Sequence, residues 1–183
     1  MDRYPKTFDN GAGERLTFSA RIQEADGVRL VGDNLVAPGA GPPMHVHHFQ
    51  EEGFTVVAGR LGYQILGYEP KFAGEGESVV FRAGEAHRFW NAGEDDLRCT
   101  AYIKPAGNVE FFLEAIFASQ KRSGGHRPSI WDAAYLTRRY RTEFSMVEIP
   151  ALVQRLVFPL IVGLGAVLGK YDRYADAPEP LER

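Results

Sequence analysis

Residues 39–59 read GAGPPMHVHHFQEEGFTVVAG, and this stretch decides the fold. His45 and His47 lie two apart, Glu52 follows after four intervening residues, and Gly59 after six more. A second stretch, GESVVFRAGEAHRFWN over residues 76–91, places His87 three positions after Gly84 and four before Asn91. On a β-strand, side chains at i and i+2 leave the same face, so His45 and His47 can share a target while Val46 and His48 point away. A helical pair would need a spacing of three or four. Phe54-Thr55-Val56-Val57 is rich in strand formers. A loop or bulge between His47 and Glu52 resets the register and brings Glu52 to the same centre, and His87 arrives from elsewhere in the sheet. The expected metal ligands are therefore His45, His47, Glu52 and His87, converging on one divalent ion. Imidazoles and a carboxylate with open positions suit non-haem iron, and imidazole also suits zinc, copper and nickel. Manganese completes the set of expected ions. An octahedral ion with four protein ligands keeps two positions for water or substrate, unlike a closed structural site.

The two stretches resemble the motifs of the cupin superfamily, G(X)5HXH(X)3–4E(X)6G and G(X)5PXG(X)2H(X)3N. Gly39, His45, His47, Glu52 and Gly59 match the first, and Gly76, Gly84, His87 and Asn91 match the second. Arg82 stands where the family usually has a turn-forming proline. The sixteen residues between Gly59 and Gly76 are at the short end for the family and are similar to the small single-domain bacterial cupins. The resemblance covers roughly residues 28–106. It implies a mainly β fold, an antiparallel double-stranded β-helix (jelly-roll barrel), with four intact metal ligands. The run PAGNVEFFLEAI, residues 105–116, further resembles the segment after the barrel in quercetin-dioxygenase-like small cupins.

By strand parity, Glu52, Phe54 and Val56 share a face, as do His87 and Phe89. Phe54, Val56 and Phe89 are thus the expected substrate pocket, or else they fill the barrel with side chains. Parity does not decide which of Tyr63, Gln64, Arg88, Arg98 and Tyr102 face inward. His48 is expected in a surface or supporting role, and His126 in a solvated loop. Cys99, the single cysteine, excludes an internal disulfide framework and reads as a buried thiol in a strand.

The chain has 183 residues, 44% hydrophobic and 25% charged, with a net charge of −3. Nothing in that balance predicts a nucleic-acid partner. No basic-then-apolar leader is visible at the start, so a cytoplasmic location is expected. Residues 1–106 read as the barrel with a polar N-terminal arm (1–15), and 107–183 as a helical extension packing on the barrel or on a dimer partner. Residues 16–22 alternate as a strand, and residues 28–36 form a second, interrupted at Gly32-Asp33-Asn34. Residues 71–76 read as a turn. Short strands with turn signals continue to residue 103.

Helical spacing begins at Val109. Asn108 is the expected N-cap of a helix over 109–121, ended by Gly124-Gly125. Ser129 with Asp132 is a variant capping box for a helix over 130–142. Residues 149–171 are apolar, with Leu152, Leu156, Leu160, Leu164 and Leu168 four apart and a kink expected at Pro159. Fourteen uncharged residues as a helix reach about 21 Å, short of the roughly 30 Å hydrocarbon core. A membrane span is therefore not expected. The run docks on the barrel or a dimer mate, or lies at a membrane interface.

The functional expectation is a mononuclear metal-dependent oxygenase, dioxygenase-like, acting on a small organic molecule as a homodimer. Glu52 becomes a general base if it leaves the ion. The alternatives are a non-redox metal isomerase or lyase, with a basic pocket residue for an anionic substrate, and a non-catalytic small-molecule-binding barrel.

Overall fold

The computed structural model describes residues 4–182, so residues 1–3 of the expected arm and Arg183 lie outside it. Two antiparallel sheets face each other. The first contains β1 (Lys6–Asp9), β2 (Glu14–Glu24), β3 (Gly27–Val36), β5 (Glu51–Ala58), β8 (Ser78–Phe81) and β10 (Leu97–Lys104), in the order β1-β2-β3-β10-β5-β8. The second contains β4 (His45–His47), β6 (Leu61–Ile65), β7 (Lys71–Ala73), β9 (Ala86–Asn91) and β11 (Phe144–Met146), in the order β11-β4-β9-β6-β7. This is the mainly antiparallel β architecture of a double-stranded β-helix, followed by helices α1 (Val109–Arg122), α2 (Ile130–Arg139) and α3 (Phe158–Val167).

Four readings of the sequence need correction. The arm is not wholly irregular: Phe8 pairs with Leu16 and packs edge-on against Phe18, which makes Lys6–Asp9 a strand. β3 runs unbroken through Gly32-Asp33-Asn34, and the bulge falls in β2 between Phe18 and Ala20. Gly32 marks a close approach, since a Cβ there would meet the Thr17 carbonyl at 2.4 Å. Lys71–Ala73 is a strand, because Ala73 is buried against Leu61. The second helix stops at Arg139, three residues early, with Tyr140 fully buried at its end.

The core has two parts. Leu61, Phe81, Leu97 and Val56 fill the closed end of the barrel, with Cys99 buried beside them. The other part joins Leu16, Phe18 and Leu30 of the barrel to Phe112, Leu136 and Tyr140 of the helices. The helices thus share a core with the barrel instead of resting on its rim. Asn108 stands at the start of α1 but makes no side-chain cap. Its amide is held instead by the buried Glu143 carboxylate at 2.6 Å, which also accepts the Asn108 N–H and so places negative charge at the helix start. Ser129 does cap α2, accepting the Asp132 N–H, but Asp132 turns away to accept from Ser119 Oγ at 2.6 Å.

Pro159 lacks an amide hydrogen, and its ring crowds the carbonyl four residues back. The chain answers with a wide π-helical turn over Val153–Val157, so the proline falls in the first turn of α3 instead of inside a continuous α-helix. Phe158 and Gly165 are buried in this run, and contacts with α2 hold it. The five leucines are not covered: Leu152, Leu156, Leu160, Leu164 and Leu168 are between 53% and 74% exposed. The reading in which this stripe docks on the barrel of the same chain is overturned. Among the described residues, no helix is long and apolar enough to cross a membrane.

Candidate metal centre

Three strands from the two sheets build the centre. His45 and His47 leave β4 on one face, as their spacing dictates, and His45 pairs directly with His87 on β9. The connection after His47 carries the chain across to the opposite sheet, where Glu52 stands on β5 opposite Phe81. The ligand atoms of His45, His47, Glu52 and His87 all lie within 4.8 Å of one another. Glu52 Oε2 is 2.9 Å from His87 Nε2, 3.9 Å from His47 Nε2 and 4.0 Å from His45 Nε2. Phe81 stacks flat on His87 with ring centres 4.0 Å apart, and Phe144 meets His47 edge-on.

The hydrogen bonds behind the rings test whether this set fits an ion. His45 Nδ1 faces the Pro43 carbonyl at 2.8 Å, and His87 Nδ1 faces the Glu85 carbonyl at 2.9 Å. A carbonyl can only accept, so both Nδ1 atoms carry the proton and both Nε2 lone pairs point inward. That is the tautomer a metal ligand needs. The position between His87 Nε2 and Glu52 Oε2 then calls for positive charge. His47 is the looser member, because its buried Nδ1 has no partner.

The electrostatics agree. Burial, reinforced by the neighbouring histidines, holds His45 below the ordinary imidazole value and pushes His47 down to about 3, so both rings stay neutral and available. Burial alone would raise Glu52. The close approach of His87 Nε2 and the electrostatic influence of the three surrounding imidazoles outweigh it and hold the carboxyl at about 2. The four donors fit a divalent cation, with one negative charge and three neutral nitrogens.

The centre opens on a cavity of about 330 Å³ between the barrel and α1. Phe54 and Phe89 line it, as do Phe112 and Ile116 of the helix. Val56 does not: it is 2% exposed and packs in the closed end of the barrel. Tyr102, whose orientation parity left open, is among the residues lining the cavity but spends its hydroxyl on Glu51 at 2.6 Å, and Arg88 pairs with Gln64. His48 bonds Ser145 on β11 at 3.0 Å. His126, expected in a solvated loop, is exposed but also lines the cavity. At the turn before His87, Arg82 uses the N–H a proline would lack: it donates to Glu85 Oε2 at 2.7 Å and closes the same turn.

Sequence reading missed Glu14 and Asn34, two buried polar residues on the cavity wall. Parity held the signal. Glu14 shares a face with Leu16 and Phe18, and Asn34 with Leu30 and Val36. Burial lifts the Glu14 carboxyl to about 7; the Asn34 hydrogen bond opposes this and the Glu52 charge adds to it.

Residues 34–103 match the family model described as a cupin domain. Among curated relatives, the chain is 34% identical over 79 residues to "Probable oxidoreductase patJ" of Aspergillus clavatus, a match covering 42% of this chain and 24% of that protein. It is 30% identical over 102 residues to "Probable oxidoreductase virH" of Hypocrea virens, covering 51% of this chain and 47% of that one. The chain therefore spans under half the length of these relatives. A solved double-stranded β-helix domain protein from Klebsiella pneumoniae superposes with a TM-score of 0.42 at 20% identity, over 49% of this chain and 72% of that one.

Proposed function

We propose that the protein is a metal-dependent oxidoreductase of the dioxygenase kind that acts on a small organic molecule. One divalent ion (iron, manganese, nickel, copper or zinc) would be held by His45, His47, Glu52 and His87. The observation that carries the reading is the convergence of these four side chains at one end of an apolar cavity. Relatives named as oxidoreductases support the redox class. When bound, a redox-active ion supplies electron transfer and Lewis acidity next to the substrate. The chain's own residues do the rest. Phe54 and Phe89 orient an apolar substrate and exclude water, and α1 roofs the cavity. Glu52 balances the ion's charge. It can serve as a base only after leaving the three imidazoles, because a carboxyl held at about 2 takes no proton near neutral pH.

The isomerase or lyase alternative was tied to a basic residue for an anionic substrate. Among the described residues, no lysine or arginine lines the cavity, and His126 is its one basic side chain outside the metal centre, so an uncharged molecule is favoured. In this reading the barrel, residues 1–106, supplies the ligands, and the extension, residues 107–183, closes the cavity. The test is elemental analysis of protein purified without chelator, followed by oxygen uptake with quercetin and simple catechols. Near-stoichiometric redox metal, lost in His47→Ala and Glu52→Ala, with oxygen consumed only by the loaded wild type, is the expected result. Zinc alone without oxygen uptake would move the reading to the non-redox class. No metal in any sample, before or after reconstitution, would leave a non-catalytic binding barrel.

A further inference from the structure

The cavity has polar groups that the metal centre does not use. Asn10, Glu14 and Asn34 are the buried ones among the described residues. Asn10 Oδ1 is already occupied, accepting the backbone N–H groups of Ala12 and Glu14. Glu14 and Asn34 are not so well satisfied. They stand on adjacent strands, diagonal to each other in the β2–β3 ladder, with Glu14 opposite Val36 and Asn34 opposite Leu16. A single hydrogen bond joins them, Asn34 Nδ2 donating to Glu14 Oε1 at 3.0 Å. Asn34 Oδ1 is buried with no partner. Turning the amide over does not help, because one of its two ends stays unpaired either way.

Burying a carboxyl and an amide with one bond between them is unfavourable. Leucine or valine at both positions would continue the apolar face of Leu16, Phe18, Leu30 and Val36 at no such cost. Asn34, which carries the unpaired acceptor, lines a cavity large enough for a small molecule, so a ligand donor that reaches the amide can supply the missing bond.

We propose that Glu14 and Asn34 form a second binding pole of the cavity, one that takes a hydroxyl or N–H group carried by a small, largely apolar ring-bearing ligand. This rests on the reading of the cavity as a small-molecule site and names the ligand class within it. Asn34 Oδ1 accepts from the ligand's donor, and the Glu14 carboxyl sets the amide's orientation and offers a second contact. The metal centre is the other pole. A ligand with a polar group at each end and a ring between would be held in one direction.

The test uses two probes of nearly equal size, 4-methylphenol and its methyl ether, 4-methylanisole. Both are titrated calorimetrically into chelator-treated protein, so the result is independent of the ion. The wild type should bind the phenol at least ~10-fold more tightly, as expected for one buried hydrogen bond. In Asn34→Leu and Glu14→Met the preference should fall to within ~2-fold, with the methyl ether's affinity unchanged. The Asn34 side-chain amide resonances of wild-type protein should shift with the phenol and stay put with the ether, a readout that needs no variant to fold. Equal binding of the two probes, or variants that keep the preference, would overturn the second pole and leave the cavity standing. If neither probe binds at its solubility limit, the small-molecule reading falls with it.

Discussion

At the metal centre, three imidazoles and a carboxylate sit buried among phenylalanines; along the C-terminal helical run, five leucines four apart stand in solvent. Both regions depart from the usual sorting of polar and apolar groups, in opposite senses. The difference lies in directionality. A buried polar atom demands a partner at a set distance and angle, so each bond behind His45 and His87 fixes which atom faces inward, and each missing bond marks where something else fits. An exposed leucine makes no such demand. Apolar contact is non-directional, so the stripe offers a surface for apolar contact without specifying a partner.

The sharpest way to break this contrast is within one helical run. Phe158 is 6% exposed while Leu160, two residues on, is 74% exposed. Phe158→Ala should destabilise the fold by about 3 kcal/mol or more, the cost of a large aromatic lost from a packed site. Denaturant unfolding followed by circular dichroism checks it. A loss below about 1 kcal/mol would mean that α3 is not anchored as drawn, and that the whole run behaves like the exposed face.

Metal removal ranks next. A cation present at about 100-fold above its dissociation constant adds roughly 2.7 kcal/mol to the native state, which for a chain of this size is a melting shift on the order of 5–10 °C. Chelator should lower the melting temperature of wild-type protein by about that much and leave Glu52→Ala unmoved. A wild type that ignores chelator, with metal shown to be present beforehand, would place the ion somewhere other than these four side chains.

How much of this was readable from residues alone follows the same division. His45, His47, Glu52 and His87 were legible because strand parity and fixed spacing constrain direction. Val56 was misplaced because parity assigns a face but not a depth: two residues beyond Phe54, the same face has passed from cavity to packed core. Asn108 looked like a cap because caps are local. The partner that took its amide is Glu143, 35 residues away, and no local rule contains it. Glu14 and Asn34 were hidden by reading the first fifteen residues as an arm and Gly32-Asp33-Asn34 as a break, so the parity of β2 and β3 was never carried through them. Along residues 149–171 the leucine period was plain, but its exposure depends on how α3 meets α2, which a one-dimensional pattern does not hold.

Glu14 offers a smaller and more pointed effect. Its carboxyl stands near 4.5 in an open chain and at about 7 when folded. The folded state therefore holds this proton more tightly. Its stabilising contribution is fully present below about pH 4.5 and is lost as pH rises through about 7. The stability of wild type minus that of Glu14→Gln should fall by on the order of 2 kcal/mol between pH 4 and pH 8. Taking the difference matters, because His45 and His47 are held neutral in the fold and push stability the opposite way over the same window. A flat difference would mean that Glu14 reaches water through the cavity and is not desolvated as its 8% exposure implies.

The smallest expected effect on stability belongs to the stripe itself. Leu160→Gln with Leu164→Gln changes two side chains that are 74% and 55% exposed, so the fold's stability should move by no more than about 0.5 kcal/mol per site. What should change is association. A homodimer, the assembly expected from the apolar run, would bury these leucines between copies, and an isologous seam doubles the effect of each substitution because both chains carry it. Sedimentation velocity at low and high micromolar concentration should then show wild-type dimer and variant monomer, with identical unfolding curves for the variant and dissociated wild type. A wild type that stays monomeric throughout removes the second copy as the cover. Flotation with anionic lipid vesicles, lost in the same variant, would then assign the stripe to a membrane surface, where Arg155 and Lys170 flank the uncharged run with the matching sign.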